Sequence, residues 1–462
     1  MSPTPTAGLG PLDPTEAWQP WAPTAAQPFD LKWAGHLYRR AAFGASLTEL
    51  RAAVQRGLPG TLDLLLNGQP GAAAREQFLV DLGEKMIRED DGVTLRAWWV
   101  YVFLHTSHPL RERMTLFWHN HFATSIAKVQ RADLMYAQNK LIRQHALGSF
   151  RPFLLAMSSD PAMLVWLDSN SNSKDKPNEN YARELMELFS LGVGNYTERD
   201  VREAARAFSG WQTDGAQSVF EPALHDDAVK TVLRQKGNWD GADIVRICLE
   251  QPVAARFLVG KIYRALVSEA AKPSDALLEP LVVAFRKSDY DIGALVQTIL
   301  RSRHFFSDQA YRQRIKSPVE LVLGAVREAA AGTVAPPTLA NWFQEMGQLL
   351  FAPPNVKGWE GGRSWLNTAT LLARDNFAFA VTSGAASTLS NAGGLVQAEK
   401  CKGPEDIVRV LADALLQGNL RPEARVRLVT VAADGPPSPK ELDQRARSVA
   451  HALMTMPEYQ LA

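Results

Sequence analysis

The stretch RERMTLFWHNHFAT, residues 111–124, decides both the fold and the site that we expect for this protein. Pro109, just before it, suits the first turn of a helix, because its missing N–H would have no intrahelical partner there. Leu110, Met114 and Phe117 then recur at i, i+4 and i+7, which places them on one helical face. The pattern predicts a helix that is buried on this face.

Two histidines, His119 and His121, end this helix, with Asn120 between them. Imidazoles are common metal ligands, but a metal site needs three or four ligands, so others must come from elsewhere in the chain. In a continuous helix, residues two apart point about 200° away from each other. We therefore expect a break near residues 118–120, or a site that uses only one histidine. Alternatively, both histidines satisfy backbone groups at the helix end without any ligand.

The composition indicates a globular protein and argues against several classes. Of the 462 residues, 46% are apolar and 21% are charged, which is typical of a chain with a large core. The net charge of +1 argues against a dedicated nucleic-acid surface. Cys248 and Cys401 are far apart and lie in no C-x-x-C pattern, so we expect neither a disulfide framework nor a cysteine zinc site.

Periodicity and capping predict a mainly α fold: one large helical domain over residues 31–462, with a small irregular or β insertion near 212–235. Ser46 with Glu49, and Ser317 with Glu320, form capping boxes that mark helix starts. Residues 94–105, TLRAWWVYVFLH, are apolar nearly all round, which predicts a buried central helix. Residues 1–30 are rich in Pro, Ala and Thr, so we expect a disordered arm there.

The same chain has no pattern for a membrane or for export. No run approaches the roughly 20 apolar residues that a spanning helix needs. The N-terminus has neither the basic start nor the apolar core of a secretory signal. We therefore expect a cytoplasmic protein.

A second candidate site is the segment NENYARELMELF, residues 178–189. Asn180, Glu184 and Glu187 share one helical face beside the apolar stripe, and paired carboxylates can bind a metal or move a proton. The candidates here are the catalytic residues Glu179 and Arg183, the metal ligand Glu184, and the ligand-binding residues Asn178 and Asn180. The alternative is an ordinary helix surface, with Arg183 paired at i±4 to Glu179 and Glu187.

The third candidate is His225–Asp226–Asp227, in a segment with few helical signals. We take His225 as a candidate metal ligand and Asp226 as a candidate catalytic residue, because a histidine and a carboxylate suit acid–base chemistry. The alternative is a turn in which the aspartates cap backbone N–H groups.

The fourth candidate is the loop FAPPNVKGWEGGRSW, residues 351–365. Its glycines allow the backbone to approach a ligand closely, and its two cations are placed to meet an anion. Lys357, Trp359 and Arg363 are therefore candidate ligand-binding residues. The loop has no G-x-x-x-x-G-K-[ST] pattern, so it is not a P-loop.

Six segments, in this order, carry a resemblance to a known family: HLYRRAAFG, RERMTLFWHNHFATS, NENYARELMELFSLGVGNYTERDVREAARAFSGW, HDDAVKTVL, KSPVELVLGAVR and PPNVKGWEGGRSW. Over roughly residues 31–380 the chain resembles the bacterial DUF1800 family, which has no established activity. Because its members are often exported and encoded beside sulfatase-like DUF1501 proteins, the resemblance implies a periplasmic location as the alternative, and a DUF1501 partner. This chain departs from the family in lacking an export signal and in having Ala223–Leu224 before His225, where an aromatic residue is more usual.

Two functions remain open from the sequence. The first is a metal-dependent enzyme, a hydrolase or an oxidoreductase, with a divalent metal as the candidate cofactor on His119 or His121, Glu184 and His225. It requires one of the two histidines of residues 111–124 to face Glu184 or Glu179. The second is a non-catalytic binding or assembly protein, in which these polar groups form a buried network that fixes helix packing.

Overall fold

Helices make up most of the chain that the computed structural model describes, as periodicity and capping predict. The described residues are 13–69, 71–88, 91–329, 335–383, 392–433 and 439–462, with residues 439–441 described by their backbone alone. Within these ranges, no helix is long and apolar enough to cross a membrane.

The helices are joined by connections that range from a single residue to the segments 208–240, 301–317 and 346–367. The first twelve are α1 Pro14–Ala17, α2 Leu31–Ala41, α3 Leu47–Asn67, α4 Ala72–Met86, α5 Gly92–His105, α6 Pro109–His121, α7 Ile126–Val129, α8 Ala132–His145, α9 Phe150–Ser158, α10 Pro161–Trp166, α11 Asn180–Glu184 and α12 Glu198–Ala207. The others are α13 Gly241–Glu250, α14 Pro252–Leu266, α15 Asp275–Lys287, α16 Ile292–Leu300, α17 Pro318–Glu328, α18 Pro336–Glu345, α19 Thr368–Ser383, α20 Ala392–Ala398, α21 Pro404–Leu416, α22 Pro422–Ala433 and α23 Pro439–Met454. Helix α11 continues directly into a π-helix, Leu185–Ser190, and 3₁₀ turns span Ser169–Ser171, Pro222–Leu224 and Gly362–Trp365.

Two antiparallel hairpins form the predicted β insertion. Strands β1 (Trp211–Asp214) and β2 (Gln217–Phe220) pair with Trp211 opposite Phe220. Strands β3 (Lys230–Val232) and β4 (Gln235–Gly237) pair with Lys230 opposite Gly237. The expectation of a small β element near 212–235 is therefore confirmed.

Both predicted capping boxes are present. The Ser46 side chain accepts from the Glu49 N–H at 3.2 Å, and Glu49 accepts from the Ser46 N–H at 2.8 Å. Ser317 and Glu320 make the same reciprocal pair at the start of α17. Helix α3 continues across a kink at Gly57, where φ is +77°, a conformation that glycine adopts without steric penalty.

Helix α6 lies between two buried apolar clusters. Leu110, Met114 and Trp118, all with no exposed surface, pack into the cluster formed largely by α2, α9, α13, α14 and α16. Leu116, on another face, packs into the cluster formed largely by α5, α17, α18, α21 and α23. The groups between these two faces of α6 therefore lie where the clusters meet.

Residues 13–30 do not behave as the expected disordered arm. Asp13 caps α1, the Trp18 indole donates to the Leu277 carbonyl at 2.7 Å, and Trp21 stacks on Phe306 at 4.4 Å between centroids. Phe29 is 7% exposed. The prediction from composition is wrong for these residues, because the three aromatic rings bury enough apolar surface to offset the flexibility of the Pro- and Ala-rich backbone. Residues 1–12 lie outside the described residues.

Candidate functional site

Helix α6 runs unbroken through both histidines, so their side chains point in different directions. His119 packs among the rings of Trp99, Phe351 and Trp359, with centroid distances of 5.2, 5.3 and 5.9 Å. His121 turns the other way and places its Nε2 3.2 Å from the Phe189 carbonyl oxygen. The expected break near residues 118–120 is therefore absent from α6, which leaves the alternative of a site with only one of the two histidines.

Both imidazoles are neutral at pH 7. Burial lowers the pKa of His119 to about 3. Burial and the positive charge of Lys261 hold the pKa of His121 well below its ordinary value, although the hydrogen bond to Phe189 opposes them. Since a neutral His121 donates from Nε2 to the Phe189 carbonyl, its Nδ1 carries a lone pair, and that atom has no hydrogen-bond partner among the described residues.

The proposed metal ligands do not converge. His225 places its Nδ1 2.9 Å from the Ser209 carbonyl oxygen and packs against Phe220 in the β insertion. Neither His119 nor His121 forms an ion pair with Glu184 or Glu179, and no three His, Cys, Asp or Glu side chains of the described residues form a group that could hold a metal ion. The two segments do touch, but through His121 and Phe189. The geometry therefore does not support the metal site expected from sequence. Helix α6 points His119 and His121 in different directions, and His225 is held in the segment between β2 and β3.

The candidate catalytic residues are engaged in ion pairs. Arg183 bonds Glu179 at 3.0 Å and Glu198 at 2.8 Å, so the i±4 pairing considered above is present for Glu179. Asp226 accepts from Arg206 at 2.7 Å, and this arginine holds the pKa of Asp226 below its ordinary value. The pair of Arg183 with Glu179 belongs to the ordinary helix surface considered above, and Asp226 also accepts from the Ala228 N–H at 2.8 Å, as in the capped turn considered for its segment.

Asn178 and Asn180 organise the entry to α11. The Asn178 side chain accepts from the Asn180 N–H at 2.9 Å and donates to the Asp168 carbonyl at 3.0 Å. Glu184, further along, is half-buried, and its pKa is raised by burial and by the charge of Glu187, while the charge of Lys357 lowers it. Residues 351–365, the glycine-bearing loop, carry Lys357 and therefore approach this segment.

Asn120 clamps the glycine-bearing loop onto α6. Its Oδ1 accepts from the Trp359 N–H at 2.7 Å, and its Nδ2 donates to the Trp359 carbonyl at 3.1 Å. Gly358 precedes this clamp with φ of +78°, and a Cβ there would lie 2.2 Å from Asn120 Oδ1. The close approach of the loop thus requires glycine at this position.

The clamped loop closes one side of a cleft with a volume of about 280 Å³. Its walls come from α6, from the second half of α14, from the start of α17 and from the loop. Residues that supply polar or aromatic groups to it include Asn120, His121, Lys261, Arg264, Lys357, Trp359, Glu360 and Trp365. Of the residues proposed from sequence, His121, Lys357 and Trp359 line this cleft, whereas His119 lies behind Trp359.

A buried ion-pair network forms the floor of the cleft. Glu320, 4% exposed, pairs with Arg113 and, at 2.8 Å, with Arg314, and both arginines also line the cleft. Arg314 also lies 3.9 Å from Glu269. Burial alone would raise the pKa of Glu320, but the charges of the two arginines hold it well below its ordinary value. The negative charges of Glu320 and Glu269 offset the positive charges of Arg113 and Arg314. The other charged residues of the lining therefore set the electrostatic potential in the cleft.

The remaining charges of the cleft are mostly positive. Lys261, Arg264 and Lys357 line it, and none of the three forms a salt bridge with any described carboxylate. Glu360 is the one further carboxylate among the lining residues, and it is exposed, as are Arg264 and Lys357. The cleft therefore carries cations whose positive charge is not neutralised by direct partners.

A second cavity, of about 500 Å³, adjoins the first and shares with it Arg264, Glu269, Arg314, Glu360 and Gly361. Arg363, the remaining candidate from the loop, lines this second cavity together with Arg312. The positive lining thus continues beyond the cleft.

Sequence reasoning missed Lys261, Arg264 and Asn120. The signal for Lys261 was present, since FLVGKIYRAL places a lysine within an apolar helix, where charged residues are rare unless they have a role. Asn120 was noted only as the residue between two histidines. Its partner lies 239 residues further along the chain, so no local pattern could identify it.

Comparison with known proteins agrees with the resemblance of the motifs. No curated protein and no solved structure matches the chain significantly. Residues 36–461 match the family described as protein of unknown function DUF1800, which extends the likeness from the motifs to nearly the whole chain. With that coverage, the chain belongs to the DUF1800 family.

Proposed function

We propose that this protein binds a small anionic molecule, one bearing carboxylate or phosphate groups, in the cleft between α6, α14 and the glycine-bearing loop. The observation that carries the proposal is the lining of Lys261, Arg264 and Lys357, three cations without a salt-bridge partner in the described structure. Lys261 is half-buried, and a cation that is partly withdrawn from water attracts an anion more strongly than one on an open surface.

The other lining groups suit an organic anion. The faces of Trp359 and Trp365 offer apolar surface, and both indoles are 7% exposed. The neutral His121 lines the cleft without adding charge to it. A ligand pocket commonly combines apolar walls with a few polar groups that fix the orientation of the ligand.

This proposal favours the binding hypothesis over the metal-dependent enzyme. Asn120 and His121 use their polar groups to join α6 to the loop and to the π-helix, which supports a role for these two residues in helix packing. Partnership with a sulfatase-like DUF1501 protein remains a prediction of the family resemblance, as does the choice between a cytoplasmic and an exported location.

Calorimetric titration with oxalate tests the proposal. Lys261→Met and Lys357→Met should each weaken oxalate binding by about 10- to 100-fold, the equivalent of one charge-assisted hydrogen bond. Lys287→Met is the matched control, because Lys287 is an exposed lysine at the end of α15 that lines neither cavity. Failure of the wild type to bind oxalate, phosphate or citrate, or equal affinity in all three variants, would contradict the proposal.

A further inference from the structure

Lys261 stands out among the cations of the cleft because its amine is partly withdrawn from water. It lies on α14 beside the buried Ile262, and its side chain is half-buried. Its Nζ lies 3.4 Å from the Leu188 carbonyl and 5.2 Å from the centroid of the Phe257 ring. These weak contacts replace only part of the hydration that an ammonium group loses on burial.

Burial accordingly lowers the pKa of Lys261 to about 8. At pH 7 about a tenth of such amines carry no proton, compared with fewer than about one in a thousand for an ordinary lysine. The unprotonated amine is the nucleophile in lysine chemistry, so an amine of this kind reacts at neutral pH.

We propose that Lys261 forms an imine with an anionic aldehyde or ketone bound in this cleft. The proposal rests on the proposed function, because the free cations must first hold the anionic end of that molecule. Arg264 and Lys357 supply this binding, and Lys261 supplies the amine in the same cavity. The combination selects a carbonyl compound that carries a carboxylate or a phosphate.

The reaction balances without a further reagent. The lone pair of Nζ attacks the carbonyl carbon, and the C–O π electrons move to oxygen. The nitrogen of this adduct loses a proton and the oxygen gains one, which yields a neutral carbinolamine. Loss of water then forms the C=N bond, so that the amine and the carbonyl compound become an imine and one water molecule.

His121 is a neutral neighbour of Lys261 and does not act as the base for these proton transfers. It lines the same cavity, and it is close enough to Lys261 for the lysine charge to lower its pKa. Because burial holds its pKa well below the ordinary value, its imidazole is a weak base, and solvent water, which reaches the exposed Arg264 and Lys357 of the cleft, carries the protons of these steps.

Reductive trapping with glyoxylate tests the proposal on the full-length protein. Glyoxylate and cyanoborohydride convert each lysine that forms an imine into a carboxymethyl-lysine, which peptide mass spectrometry locates. At pH 7 Lys261 should be labelled at least tenfold faster than the exposed Lys287, which serves as an internal reference. The advantage should shrink severalfold when neutral acetaldehyde replaces glyoxylate, or in Arg264→Met. Lys261→Arg, which keeps the charge, should remove the label at this site while oxalate still binds.

Two further outcomes separate this inference from the proposed function. If oxalate binds but glyoxylate labels Lys261 no faster than Lys287, the imine proposal is wrong and anion binding stands. If Lys261 reacts quickly and equally with glyoxylate and acetaldehyde, and oxalate does not bind, the preference for an anionic carbonyl compound is wrong. If Lys261 is labelled rapidly and oxalate suppresses the labelling, the result supports both anion binding in the cleft and imine formation by Lys261.

Discussion

Replacing Asn120 by alanine should release the glycine-bearing loop from α6. The Asn120 side chain holds the N–H and the carbonyl of Trp359 at 2.7 and 3.1 Å, and Trp359 is 7% exposed. Alanine cannot form either hydrogen bond. The N–H and the carbonyl of the buried Trp359 therefore lose their partner when the loop is packed against α6.

The size of the effect follows from these two contacts. One hydrogen bond contributes about 0.5–1.5 kcal/mol, so the loss of both should lower the free energy of local opening by about 1–3 kcal/mol. A change of about 2 kcal/mol corresponds to roughly 30-fold faster hydrogen exchange in the loop, since each 1.4 kcal/mol is tenfold. Helices away from the loop should keep their exchange rates.

Hydrogen exchange followed by mass spectrometry measures this directly in peptides that cover residues 355–366. Asn139→Ala is the matched control, because Asn139 is 1% exposed and neither polar atom of its side chain has a hydrogen-bond partner among the described residues. The control should leave exchange of the loop unchanged. Loop exchange within threefold of wild type in Asn120→Ala would refute the reasoning.

A companion substitution, Gly358→Ala, tests the same contact from the other side. Its Cβ would lie 2.2 Å from Asn120 Oδ1 and 2.5 Å from the Asn120 backbone oxygen. In the Asn120→Ala background only the first clash disappears, so Gly358→Ala should open the loop less there than in wild type. It should still have an effect, because the second clash and the positive φ persist. Additive effects of the two substitutions would contradict this account.

The remaining predictions concern charge. Oxalate affinity should be nearly constant between about pH 6 and pH 7 and fall as pH rises through the pKa of Lys261, about 8, by at most about tenfold per pH unit, because Lys261 attracts the anion only when it is protonated. Calorimetry at several pH values measures this dependence, and an affinity that stays the same up to pH 10 would contradict it. His119→Phe should keep oxalate affinity within threefold, whereas His121→Phe should lower it about tenfold; equal losses would place His119 in the site. Glu320→Gln should destabilise the fold by about 3–5 kcal/mol, because it leaves two buried arginines without their shared carboxylate. The stability from ionised Glu320 is present above the ordinary pKa of 4.5 and is lost as pH falls through its lowered folded pKa, so chemical denaturation should show a loss at acid pH that Glu320→Gln lacks.

Local chemistry let the sequence determine much of the fold. The capping box at Ser46 and Glu49, the proline start of α6 and the 3.6-residue stripe of α6 each involve residues a few positions apart. The opposed directions of His119 and His121 followed from helix geometry alone. These features are decided within one or two turns of chain, so they can be read before the packing is known.

Only the tertiary structure decided where the site lies. Lys261, on α14, faces the same cleft as His121 and Lys357, although the three come from distant parts of the chain. The near-zero net charge of the whole protein gave no sign of this local excess of cations, because charges elsewhere cancel it. Asn120 and Trp359 meet for the same reason: their hydrogen bonds form only after α6 and the loop have packed together. Contacts of this kind depend on how the helices assemble in three dimensions, and no periodicity along the chain encodes them.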